Sequence, residues 1–128
     1  MKLNPDIIRD ILLSVEDISD FDTVTIYRRD QMSLPRLEKY SHEEIKYHIL
    51  QCEKFELIYQ VEYTDGGSNI YIRDLTPAGH EFLANIRNDT FFNKIKDVAK
   101  DIGVSSLKDL TQIASASAMV LIKSHFNL

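Results

Sequence analysis

The stretch from Tyr40 to Leu75 constrains the fold more than any other part of the chain. Ser41-His42-Glu43-Glu44 is a capping box, in which Ser41 and Glu44 can satisfy each other's free backbone N–H groups. It starts a helix that runs to about Lys54 or Phe55, with Ile45, His48, Ile49, Cys52 and Phe55 on one face. Two strand-like runs follow, Leu57 to Tyr63 and Ile70 to Leu75, separated by Thr64-Asp65-Gly66-Gly67-Ser68-Asn69. The Asp-Gly-Gly step tolerates positive φ, so the runs predict a β-hairpin.

The flanks supply further elements. Asn4 is a helix cap and Pro5 a first helical residue, and Ile7, Ile8, Ile11, Leu12 and Val15 form one apolar stripe to about Ile18. Thr23 to Tyr27 alternates and is β-branched, which predicts a short strand. Between Arg28 and Tyr40, Pro35 disfavours a helical Leu34, so at most a short helix fits after it. Thr76-Pro77 opens a helix whose apolar face is Phe82, Leu83 and Ile86. Asn88-Asp89 interrupts the path. Phe91, Phe92, Ile95, Val98 and Ile102 continue it to Gly103, a helix-ending glycine. Ser105 or Ser106 caps a last helix that holds Leu107, Leu110, Ile113, Ala114, Val120 and Leu121.

A helix followed by a hairpin is the winged-helix signature. Residues 40–58 resemble the recognition helix and exit of winged-helix regulators, with His48, Ile49, Cys52 and Leu57-Ile58 in the matching places. Leu75-Thr76-Pro77-Ala78-Gly79-His80 resembles their step out of the wing. Where such regulators usually place glycine, this chain has Glu56, at a cost of roughly 1 kcal/mol if the left-handed conformation is kept. More of the chain, residues 1–120, resembles a family of small bacterial and phage proteins, domain of unknown function 2513. That resemblance rests on Met1-Lys2-Leu3-Asn4-Pro5-Asp6-Ile7-Ile8-Arg9, Tyr40-Ser41-His42-Glu43-Glu44-Ile45, Tyr47-His48, Leu75 to Leu83, Asn85 to Thr90 and Gln112-Ile113-Ala114-Ser115. It implies a winged-helix-like fold and a phage or prophage setting, and no activity. The expected class is therefore α+β, a winged-helix-like core over residues 1–76 with a C-terminal helical extension over 77–128 of the same domain.

Composition narrows the function. At 128 residues and 44% apolar, the chain is long and apolar enough for one packed domain. No apolar run approaches the roughly 18 residues of a membrane span, and the N-terminus has no apolar signal region. The single cysteine, Cys52, has no internal partner for a disulfide, which points to the cytoplasm. A net charge of −5 excludes a basic nucleic-acid coating protein. By segment, negative charge concentrates in 5–18 and 41–80, and positive charge in 21–40 and 81–100.

Two functions compete. As a small DNA-associated regulator, the chain would place helix 41–54 in the major groove of duplex DNA. Arg28, Arg29, Arg36 and Lys39 would meet phosphates, and Lys46 and Gln51 would reach base edges. Against this, Glu43 and Glu44 sit in the first turn and the wing carries Asp65 without Lys or Arg. As a protein-binding module that engages or inhibits a host or phage factor, it would use Tyr47 and Leu50. Enzymatic chemistry is not expected. His42, His48, His80 and His125 lack metal-ligand spacing, so no metal or cofactor is expected. Cys52 lies on an inward face, and Gly66-Gly67 has no following Lys-Ser/Thr of a phosphate loop. The small-residue run from Ile113 to Ile122 can pack within the monomer or form a homodimer contact through the C-terminal helix.

Overall fold

The computed structural model describes residues 1–30, 33–103 and 106–126. In the last helix it describes the side chains up to Ser117 and that of Val120. Helix α1, Pro5–Ile18, begins where expected: the Asn4 side chain accepts from the Asp6 N–H and Pro5 takes the first turn. Its stripe of Ile7, Ile8, Ile11, Leu12 and Val15 is completely buried, which at about 1.5–3 kcal/mol per large aliphatic side chain makes α1 the main apolar keel. Strand β1, Thr25–Arg28, follows. Among the described residues between Arg28 and Tyr40 the only helix is a single 3-10 turn, Pro35–Leu37. Among the described residues there is thus no full α-helix just before α2, and Leu34 before Pro35 is held extended.

Helix α2, His42–Lys54, carries the complete capping box between Ser41 and Glu44. Ile45, His48, Ile49 and Cys52 are buried as expected, whereas Phe55 is the C-cap and stays 37% exposed. Glu56 does adopt the left-handed conformation, with φ 59°. The Glu56 N–H bonds the Glu53 carbonyl and the Leu57 N–H bonds the Cys52 carbonyl. This is the Schellman ending that glycine normally makes, with Leu57 and Cys52 both buried.

His48 is a satisfied core histidine. Its Nε2 accepts the Asn4 N–H at 2.8 Å, so its Nδ1 carries the proton and donates to the Glu44 carbonyl at 2.7 Å. The ring ties the start of α1 to the middle of α2. Burial holds its pKa below the ordinary value of 6.5.

Strand β2, Ile58–Thr64, and strand β3, Asn69–Leu75, form the hairpin. The three antiparallel strands lie in the order β1-β3-β2. Asp65, Gly66 and Gly67 all take positive φ in the turn. Ile58–Leu75 is buried on both strands, whereas in Val61–Ile72 and Tyr63–Ile70 only the β3 partner is fully buried. The alternation slips at Gln60, which has φ 48° and with Arg73 is left out of the ladder. Arg73 instead donates to the Asp20 and Phe21 carbonyls, holding the loop before β1.

Helix α3, Pro77–Ile86, is locked to the end of α2. The Thr76 hydroxyl donates to the Glu56 carbonyl at 2.6 Å and accepts the Gly79 N–H at 3.0 Å. Gly79 rests directly on the Leu57 carbonyl, with no room for a β-carbon. Asn88 breaks the path and caps helix α4, Asp89–Ile102, through the Phe91 N–H. Val98 and Ile102, expected on its apolar face, are exposed at 41% and 67%, while Phe92, Ile95 and Ala99 are buried. Gly103 ends α4 in the left-handed conformation.

Ser106 accepts the Asp109 N–H at the start of helix α5, Leu107–Phe126; Ser105 lies outside the described residues. Leu107, Leu110 and Ala114 are buried, and α5 packs on α3 and α4. Val120 is 67% exposed, and the side chains of Leu121 and Ile122 lie outside those described. The buried core runs without a break from α1 to Ala114. The protein is thus α+β, and no helix among the described residues is long and apolar enough to cross a membrane.

Three outcomes follow in denaturant unfolding. Replacing Glu56 by Gly removes the left-handed strain and raises stability by about 1 kcal/mol; a decrease would mean the Glu56 turn is not strained. Gly79→Ala drives a methyl group into the Leu57 carbonyl and lowers stability by about 1–3 kcal/mol. Because the unfolded chain protonates His48 more readily than the folded one, stability is full above pH 6.5 and declines as pH falls below it. NMR titration then shows the His48 ring staying neutral below pH 6.5, and a value at or above 6.5 would refute the clamp.

Candidate functional site

Helix α2 repeats Glu43, Lys46, Tyr47 and Leu50 along one outward face, and the β2–β3 turn folds over it. The two enclose an open groove of about 530 Å³ lined by these four residues with Tyr63, Gly66 and Gly67. Lys46 is the strut. Its ammonium donates to the Gly66 carbonyl at 2.7 Å, and its methylenes occupy the space where a side chain on Gly67 would sit. Gly67 is required by its φ of 91°, whereas the nearby end of the flexible Lys46 side chain could move aside.

Tyr63 closes the groove from the strand side. Its hydroxyl donates to Glu53 at 2.8 Å, and burial together with that carboxylate pushes its pKa up. Tyr47 stands edge-on to the buried His48 ring, with centroids 5.1 Å apart, which fixes its orientation. At the N-terminal end of α2, His42 Nδ1 shares a 2.7 Å hydrogen bond with the buried Tyr27 hydroxyl. Burial pushes the His42 pKa down, helped by Arg29 and Lys46 and opposed by Glu43 and Asp30.

The sequence-predicted DNA contacts are not brought together. Arg36 pairs with Asp17 at 3.0 Å and Lys39 with Asp10 at 3.2 Å, both against α1. Asp10 also accepts the Tyr40 hydroxyl at 2.6 Å, so Lys39 and Tyr40 share one carboxylate. Lys46 is occupied by the turn, and Gln51 is half-buried on α2. Arg28 and Arg29 do flank the turn: Arg28 pairs in register with Asn69, and the Arg29 N–H bonds the Ser68 carbonyl. Neither arginine makes an ion pair among the described residues. Tyr47 and Leu50 do come together, in the groove.

Sequence reasoning missed Tyr63 and the role of Gly67, because the face a strand residue takes depends on hairpin register. It also missed the source of the charge segregation. The described residues contain five ion pairs, and each has one partner on α1: Asp6–Lys96, Arg9–Asp89, Asp10–Lys39, Glu16–Arg87 and Asp17–Arg36. Cys52 is fully buried, and burial alone pushes its thiol pKa up, which leaves it an inert core side chain.

Comparison with known proteins places these features in a family. The model of the family described as "Hypothetical protein (DUF2513)" matches residues 2–105, spanning α1 through α4 and the whole groove. An uncharacterized protein of Haemophilus influenzae is 31% identical over 117 residues, covering 88% of this chain and 93% of the relative. No solved structure matches the chain. A family match over most of its length, joined to a relative aligned nearly end to end, makes this chain a member of the DUF2513 family.

Proposed function

We propose that the protein is a non-enzymatic binding module whose α2–turn groove receives a segment of a protein partner. One observation carries the reading. The groove presents Tyr47, Leu50 and Tyr63, while the one lysine that lines it is bonded to the Gly66 carbonyl. Binding sites gain most of their energy from such half-buried aromatic and aliphatic anchors. Duplex DNA instead requires several free cations in one plane, and here Arg36 and Lys39 are turned onto α1 carboxylates.

Arg28 and Arg29 beside the turn favour the competing reading, a small DNA-associated regulator, and the same protein separates the two. Mixed-sequence duplex DNA is titrated at low salt by fluorescence anisotropy, with the wild type and an Arg28→Ala, Arg29→Ala variant. The module reading expects no saturable binding in either. Binding that weakens steeply with salt and is lost in the double variant would establish the DNA reading instead. Leu50→Glu, on a half-exposed position, leaves thermal unfolding within about 0.5 kcal/mol and weakens partner binding at least tenfold.

A further inference from the structure

An apolar strip on α4 lies away from the groove and stays open to solvent. Val98 and Ile102 are exposed at 41% and 67%, and the half-buried Phe91 continues their line toward the start of the helix. At the turn of an α-helix these three positions fall within about 40° of one another, beside the stripe of Phe92, Ile95 and Ala99 that faces the core. Exposed charges flank the strip on its outer side: Lys94 one turn before Val98, and Asp101 just under one turn after it. Neither makes an ion pair among the described residues. Asp101 also sits in the last turn of α4, where the helix dipole disfavours a carboxylate.

We propose that this face pairs with the same face of a second copy, the two α4 helices running antiparallel about a two-fold axis near Val98. The order of the charges carries the argument. A two-fold axis reverses the second helix but keeps each flank on its own side of the contact. Along the helix axis Lys94 lies about 6 Å before Val98 and Asp101 about 4.5 Å after it. Lys94 of one copy therefore comes level with Asp101 of the other to within about 1.5 Å along that axis, and symmetry makes the pair twice. Val98 meets its own counterpart at the centre, and Phe91 approaches Ile102 of the other copy at each end. A parallel pairing would set Lys94 against Lys94 and Asp101 against Asp101, which like-charge repulsion disfavours. Asp97 lies about 100° round the helix from Val98, and Lys96 is held by Asp6, so neither enters the contact. One helix face is smaller than the roughly 1,200–2,000 Å² of a stable interface, so the dimer is weak and reversible. No α4 residue lines the groove, so the pairing is independent of what binds there.

The test is sedimentation velocity of the full chain at low salt, from about 10 μM to 1 mM protein. The wild type is expected to pass from monomer to dimer over that range. Val98→Glu with Ile102→Glu, both at exposed positions, leaves the thermal unfolding of the dilute chain unchanged and abolishes the dimer. Lys94→Glu alone, or Asp101→Lys alone, weakens association at least about fivefold, because two attractive pairs become repulsive. Combining the two restores it to within about twofold, since each pair re-forms with its signs exchanged. A covalent check uses the burial of Cys52, the single cysteine. Val98→Cys then supplies the one accessible thiol, and mild oxidation is expected to link two copies at the axis. Phe21→Cys, at a position 92% exposed, links far less. A monomer at every concentration overturns the proposal. So does a dimer that survives the two Glu substitutions, or a double charge exchange that recovers nothing lost by the single ones.

Discussion

Burial of one face of α1 is the interaction on which the rest of this structure depends. Six aliphatic side chains of that helix lie in the core, and α2, the 3-10 turn, β1, β3 and α3 all pack against it. The polar side chains beside that face supply a partner to every ion pair among the described residues. Exposed pairs of this kind contribute between about 0 and 1 kcal/mol each, so the apolar face provides the stability and the charges fix orientation. Arg9 is the most deeply engaged. It bonds Asp89 and the Arg87 carbonyl and lies over the Phe92 ring at 4.8 Å, joining α1 to the α3–α4 corner.

The second organising point is the Leu57 carbonyl. It accepts the Thr76 N–H and lies against Gly79. The α2 ending, the hairpin and the start of α3 are therefore joined at one place. The strained Glu56 sits in the same corner.

These two points reinterpret the charge pattern. The basic segments 21–40 and 81–100 look like a surface for phosphates when taken alone. In the folded chain much of their charge answers the acidity of α1: Arg36, Lys39, Arg87 and Lys96 all bond its carboxylates. The face around α2 keeps its own carboxylates and an apolar floor.

Much of the fold was legible from local chemistry. The Asn4, Ser41 and Thr76 caps, the apolar periodicity of α1 and α2, the Asp-Gly-Gly turn, the break at Asn88 and the Gly103 stop are short-range signals, and each acts within a few residues of itself. Residue 55 misled because helical periodicity does not say where the Schellman turn lifts a side chain out of the core. Val98 and Ile102 misled because an apolar stripe can be wider than the neighbour that covers it. For the groove, the sequence supplied Tyr47 and Leu50 on one helical face, but Tyr63, Gly67 and the Lys46–Gly66 bond required the hairpin register and the way the turn lies over α2. The sequence alone determined where the elements begin and end and which helix faces are apolar, since caps, turns and periodicity are local. Tertiary structure alone decided which charges are spent within the molecule and which surround a groove, because an ion pair such as Asp6–Lys96 joins residues that only packing brings together.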